Sequence, residues 1–486
     1  MKELSIIGGG FSGLSAACYA AQKGYKVTIF EKNAEIGGRS RSFSENGFTF
    51  DMGPSWYWMP EVFDRFFADF GKKTSDFYKL NLLDPGFQLV YENNALFQVS
   101  ADINKLYVAF EKIEKGAAKQ LQIFLEEAEF KYKVGMQELI YKPGLSWFEY
   151  ATLDVLKGIH KTHLFTSVKT YVHKHFKDQK LRAIMEFPVL FLGAMPNQIP
   201  ALYTLMNYAA LAGGTWYPEG GMIKIIEGLS ALATSLGVTF KTDTTVKKLI
   251  VAHAEVVAIE TNKGQFPTDH VIASADYAFV ERELLEPADR NYSEKYWESK
   301  IFAPSCLIFY LGVNKKIDKL IHHTLFFDTD FDKHSEEIYQ NPQWPSKPLF
   351  YVCCPSKTDP TVAPEGMENL FVLIPIATGL EDTVAIRESY FEPIIKRIES
   401  FCGTSILEHI VYKKSYSVQN FVSDYNSYQG NAYGLANTLK QTAVLKPKMI
   451  NKKIKNLIYT GQLTVPGPGV PPSLISGKIA TSLLKS

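Results

Sequence analysis

Gly8, Gly10 and Gly13 stand at G-x-G-x-x-G spacing, directly after the apolar run Leu4 to Ile7. Glycines at those intervals suit a pyrophosphate. The first permits a tight turn, the second lets backbone approach the phosphates, and the third lets a helix pack on the strand. A helix opening at Phe11 and Ser12 then aims free N–H groups and a positive dipole end at the anion. Glu31 closes the run "KVTIF", where a carboxylate can bind a ribose hydroxyl and disfavour the extra phosphate of NADP. The triplet alone is weak evidence. Strand, helix, strand and terminal acid together, in "ELSIIGGGFSGLSAACYAAQKGYKVTIFEKN", point to dinucleotide binding.

Lys32 and then Gly37, Gly38 and Arg39 follow closely. This extension resembles flavoenzymes of the glutathione-reductase type rather than NAD dehydrogenases, and on that reading Arg39 lies along the cofactor, near its diphosphate or ring. No second G-x-G-x-x-G occurs, which argues against a separate NADPH domain, and no C-x-x-C occurs, which excludes disulfide reductases. The substrate itself is then the electron source, as in an oxidase or desaturase. At the far end, "YTGQLTVPGPGVPPSLISGKIA" reads as a tight loop between a strand and a small-residue helix. Gly467 and Gly469 allow close backbone approach, and Pro471 and Pro472 suit a helix start near Pro472, aimed at the ring or ribityl oxygens.

These residues must be positioned by a chain of 486 residues, long enough for two or more packed units. Hydrophobic residues make up 46%, charged residues 21%, and the net charge is +1, so nothing in the balance pulls toward nucleic acid. Aromatic residues make up 13%, and clusters such as "PSWYWMP" and "GGTWYPEGG" suggest a large apolar cavity. Cys18, Cys306, Cys353, Cys354 and Cys402 show no zinc-type spacing, which fits a reducing, cytoplasmic setting. No metal site is expected. No apolar run reaches spanning length, and the N-terminus enters a strand without a signal peptide's apolar core.

Along the chain, residues 1–75 form a first nucleotide-binding segment. Residues 76–212 are expected to be largely helical, with helical apolar spacing from Asp102 to Ile140. Residues 213–298 resume nucleotide binding as a helix followed by strands. Residues 299–430 alternate strands with a helix around "ESYFEPIIKRIESF", and residues 431–486 return to the cofactor. The expected fold is α/β: a discontinuous, Rossmann-like FAD-binding domain of glutathione-reductase type. An α+β substrate domain carries a helical, membrane-facing insertion.

The stretches "EKNAEIGGRSRSF", "GFTFDMGPSW", "HHTLFF", "APEG", "DYNSYQGNAYGLANTLKQTA" and "GQLTVPGPGVPPSLISG" resemble the bacterial-type phytoene desaturase family of carotenoid desaturases, over nearly the whole chain. The resemblance implies an FAD-dependent enzyme that introduces double bonds into a long polyene. It places Val246 at the adenine through backbone contacts. With the tail reading it assigns to the cofactor Gly8, Gly10, Phe11, Ser12, Gly13, Glu31, Lys32, Gly38, Arg39, Val246, Gly461, Gln462, Gly469, Val470 and Pro471. Gln462 departs from the small or acidic residue of many relatives.

Desaturation removes a hydride and a proton from neighbouring carbons, with flavin N5 the natural hydride acceptor and quinone or oxygen the terminal one. A base is dispensable if the polyene stabilises positive charge, so Arg39 and Glu149 are the candidates only for polar roles. A polyene of about forty carbons, at about 0.8 kcal/mol per buried CH2, must be taken from a membrane. That implies peripheral contact with the inner face. Residues 157–182 are basic, and Leu164, Phe165, Val168 and Val172 could supply an apolar stripe toward lipid. His160, His163, His173 and His175 lack the spacing of a metal site. Within the family, a 3,4-desaturation of a 1′-hydroxy, γ-carotene-type carotenoid is favoured over successive early steps on phytoene. A flavin-dependent carotenoid isomerase and a flavin-stabilised carotenoid carrier are the readings of other classes.

Overall fold

The computed structural model describes residues 1–150, 163 and 166–485. Five short parallel strands form its nucleotide sheet, in the order Leu457–Tyr459, His270–Ala273, Glu3–Ile7, Lys26–Phe30 and Thr239–Lys241. Strands buried on both faces read as near-continuous apolar runs, and "VIA", "LIY" and, but for the buried Ser5, "LSII" do. The sheet draws on three distant stretches of sequence, so the nucleotide fold is interrupted and resumed.

The helix Phe11–Gln22 follows the first strand, and Val470–Ser482 lies against it. Their contact is backbone to backbone. A Cβ on Gly477 would lie 2.5 Å from the Ser12 carbonyl oxygen, and Ser15 Oγ donates to the Leu474 carbonyl at 2.7 Å. Small residues on both helices let the two ends of the chain close together.

A second, seven-stranded mixed sheet runs in the order Ile410–Tyr416, Ser305–Val313, Glu368–Ile376, Phe350–Cys353, His323–Phe327, Phe87–Tyr91 and Leu96–Val99. One face packs on the helix Val384–Cys402 through Phe391, Ile394, Ile395 and Ile398. Cys353 and Cys354 fall in different apolar clusters, one on each face, as strand alternation requires. All five cysteines are free and buried.

Two expectations are corrected here. The run from 76 is not helical at its start: strands Leu80–Leu82, Phe87–Tyr91 and Leu96–Val99 precede the first helix, Ile103–Ile113. Those strands are three to five residues long, too short to establish a period against the strong helical pattern after Asp102. Val168 and Val172 also do not face outward. Both are fully buried in the helix Val168–His175 and belong to the core. Leu164, Phe165 and His160, with residues 151–162, lie outside the described residues.

Candidate active site

Gly8 leaves the first strand at φ +100°, a conformation open to glycine, and its N–H donates to the Phe30 carbonyl at 2.8 Å. Gly10 caps the helix without any side-chain hydrogen bond, so the first-turn N–H groups of Phe11, Ser12 and Gly13 face outward without a cap. A Cβ on Gly13 would lie 2.1 Å from the Gly8 carbonyl oxygen, whereas one on Gly10 would come no nearer than 3.9 Å to Gly38 Cα. Gly13 is therefore required by packing. Gly10 is open on the ligand side.

Glu31 sits just past Lys26–Phe30 and is buried. One carboxylate oxygen accepts from the Gly9 N–H at 2.9 Å and the other from the Asn33 backbone and side-chain N–H groups, both at 2.9 Å. Lys32 donates to Asn426 Oδ1 at 3.0 Å. Arg39 is half-buried. It donates to Ser427 Oγ at 3.1 Å and the Asn431 carbonyl at 3.2 Å, with Tyr425's ring 5.0 Å away. Asp276, just past the strand His270–Ala273, faces it. Burial pushes this carboxyl above its ordinary range, and the Arg39 guanidinium pulls it partly back.

Most of these residues border one cavity of ≈ 970 Å³. Gly8, Gly10, Phe11, Ser12, Glu31, Lys32, Gly38, Arg39, Val246, Gly461, Gln462, Gly469, Val470 and Pro471 line it. Gly13 stands behind the wall, and its part is to let helix meet strand. Gly461 takes φ +109° beside Ser12 Oγ, which shares a 2.7 Å hydrogen bond with Ser274 Oγ. Gln462 reaches Asn431 Oδ1 at 3.4 Å.

The other half of the cavity is apolar. Trp56, Trp58, Met59, Phe187, Leu202 and Phe327 form part of its wall. The aromatic expectation holds for "PSWYWMP" but not for "GGTWYPEGG". Tyr217 of the second cluster is core, hydrogen-bonded to Asp51 at 2.8 Å, and Trp216 does not line the cavity.

Glu149 stands apart from this group. Its carboxylate accepts the N–H groups of Gly144, Leu145 and Ser146 at 2.9, 3.0 and 3.1 Å, which fixes its own loop. The C-terminal helix begins at Val470, two residues before the expected start, and Pro471 and Pro472 occupy its first turn. Proline has no N–H, so the expected row of donors is reduced to Val470. The described histidines of the basic stretch take separate partners: His163 pairs with Glu127 at 3.2 Å, His173 with Glu186 at 3.1 Å, and His175 with Gln120 at 3.0 Å.

Sequence reasoning missed Ser274, Asp276, Tyr425 and Asn437. Asp276 carried the one usable signal, an acid closing the alternating run "HVIASAD", in the way Glu31 closes "KVTIF".

The walls fit a flavin dinucleotide. Arg39 Nε, Ser40 Oγ, Asp276 Oδ2 and Asn437 Oδ1 belong to lining residues and are buried without a protein partner, a state that is costly unless a ligand meets it. Beside the uncapped helix and the Glu31 carboxylate, they give pyrophosphate, ribose and ring edge a place.

Comparison with known proteins agrees. Residues 11–484 match the family described as flavin containing amine oxidoreductase. The chain is 40% identical to a carotenoid 3,4-desaturase of Haloarcula japonica, over 98% of this chain and 97% of that protein. It is 28% identical to a zeta-carotene-forming phytoene desaturase of Myxococcus xanthus, over 99% and 94%. Among solved structures, putrescine oxidase bound to putrescine has a similar fold, with a TM-score of 0.64 at 13% identity over 99% of this chain and 98% of that one. The chain belongs to the flavin-containing amine oxidoreductases, is an FAD-dependent oxidoreductase, and within them is a member of the carotenoid desaturases.

Proposed function

We propose that this enzyme introduces a 3,4 double bond into a hydroxylated, γ-carotene-type polyene drawn from a membrane. One observation carries the reading: a single cavity joins the nucleotide end at Gly8, Glu31 and Val246 to a wall of Trp56, Phe187 and Phe327. An apolar chain placed there lies against the cofactor end with water excluded. FAD, when bound, supplies the hydride acceptor. Arg39 and Asp276 border the nucleotide end of the cavity, and the aromatic wall orients the chain. Tyr339 and Tyr433 on that wall suit a hydroxylated end group. The 40% identity to a carotenoid 3,4-desaturase supports the late step over phytoene.

Membrane contact would fall beside the entrance. Leu145, Trp147 and Phe148 are 41%, 61% and 90% exposed on one loop, and Trp147 also lines the cavity. Exposed aromatics beside an apolar mouth suit insertion among lipid headgroups. Among the described residues no helix is long and apolar enough to cross a membrane. The contact we infer is peripheral, on the inner face of the cytoplasmic membrane. Quinone or oxygen then reoxidises the flavin.

Expression in cells that accumulate defined carotenoids, followed by pigment mass analysis, tests the reaction. A product two hydrogens lighter from the hydroxylated substrate is expected. Turnover of phytoene alone would overturn the late-step assignment. Trp147→Ser with Phe148→Ser should lower liposome binding about fivefold or more, with flavin retained.

A further inference from the structure

His322 and His323 enter the strand His323–Phe327, and Cys353 ends the neighbouring strand Phe350–Cys353. Antiparallel register sets His323 directly opposite Cys353. All three are buried, at 1%, 0% and 1% exposure. One ring nitrogen of each imidazole and Cys353 Sγ lie within 4.8 Å of one another. A tetrahedral zinc shell, with Zn–N about 2.0–2.1 Å and Zn–S about 2.3 Å, needs donors roughly 3.3–3.8 Å apart, so small side-chain rotations close the set.

The imidazoles carry a second, independent sign. His322 Nδ1 meets Thr358 Oγ1 at 2.6 Å, and His323 Nδ1 meets Tyr351 Oη at 2.6 Å. Such outer partners hold the ring's orientation, as they do for metal-bound histidines, and leave Nε2 as the free ring nitrogen. Both Nε2 atoms are buried with no partner. Two adjacent orphaned imidazole nitrogens beside a thiol are costly without a ligand.

We propose that His322, His323 and Cys353 form a buried site for one borderline-soft divalent metal ion, zinc by donor type. Two imidazoles and a thiolate are a nitrogen–sulfur set suited to zinc, and three protein donors leave the fourth position to water. Binding releases the Cys353 thiol proton to solvent, with no change of oxidation state. The ion would pin two strands behind the cavity. Trp56 stacks on His323 at 4.0 Å and lines the cavity on its other side, so the ion would stiffen the apolar wall without touching substrate.

The test is metal analysis of untagged, flavin-loaded enzyme, purified without chelator and again after incubation with zinc sulfate and gel filtration. About one zinc per chain is expected, together with a melting temperature lowered by about 5 °C or more on chelation and restored by zinc but not magnesium. Less than about a tenth of an equivalent in both preparations would overturn the site. Cys353→Ser, checked for retained flavin, should lose the metal. A variant that keeps a full equivalent would assign the ion elsewhere and sink the proposal. If the variant fails to fold, the wild-type stoichiometry and chelation shift decide.

Discussion

The helix Phe11–Gln22 and the helix Val470–Ser482 both begin at a glycine and both open onto the cavity, yet they offer it different groups. The first presents uncapped N–H groups and the positive end of a twelve-residue dipole. The second has Pro471 and Pro472 in its first turn, and the Ser473 N–H is already bonded to the Gly469 carbonyl at 3.0 Å. It offers a flat, rigid surface instead of donors. In the loop before it, Lys446 Cε would lie 3.3 Å from a Cβ on Gly467. On the reading proposed above, one end would hold an anion through its backbone and the other would cover a ring by shape.

That contrast can be broken at four points. Gly13→Val should have the largest effect, because its Cβ alone would lie 2.1 Å from the Gly8 carbonyl oxygen. Loss of cooperative unfolding, equivalent to more than about 4 kcal/mol, is expected in urea titration. Gly10→Val has room within the protein and fills only ligand space. It should fold with its flavin-free melting temperature within about 2 °C, while FAD affinity falls about a hundredfold or more by fluorescence titration. Equal damage from both variants would erase the distinction between packing glycine and ligand glycine.

Lys446→Met probes the other end. Burial alone lowers the Lys446 amine to about 7, from 10.5, with its Nζ unpartnered. Below pH 7 the folded chain must hold a buried charge, so the penalty is full. Between pH 7 and 10.5 the unfolded state binds more protons, and wild-type stability rises with pH. The methionine variant should be more stable near pH 7, on the order of 2 kcal/mol, and should lose that part of the slope. Denaturant midpoints at several pH values check this. Pro471→Ala should do least. If the second helix acts by shape, restoring one N–H changes FAD affinity about twofold or less, and a tenfold change would mean that donors matter there too.

The glycine positions were legible in the bare sequence because each is a local steric requirement. Gly8 needs its φ, Gly13 needs to lack a Cβ, and both needs are written in spacing. Tyr425 was not legible, since nothing local distinguishes it from any other tyrosine in the chain, and Asp276 offered only the faint signal of an acid closing an apolar run. Glu149 misled for the same reason. A carboxylate in an aromatic-rich loop looks available for chemistry until three neighbouring N–H groups are seen to occupy it. Val168 and Val172 had the helical spacing of an apolar stripe, but spacing does not say whether that stripe faces lipid or core.

By itself the sequence determined that a nucleotide loop opens the chain, that a glycine–proline tail returns to it, and that a large apolar space lies between. Those are statements about backbone freedom and side-chain polarity, and they hold wherever the elements are placed. Tertiary structure alone decided which side chains share the cavity, which helix end carries donors, and that His322 and His323 meet Cys353. The physical reason is distance along the chain. Strand register brings together residues thirty positions apart, and register is set by pairing and burial over the whole sheet rather than by any motif.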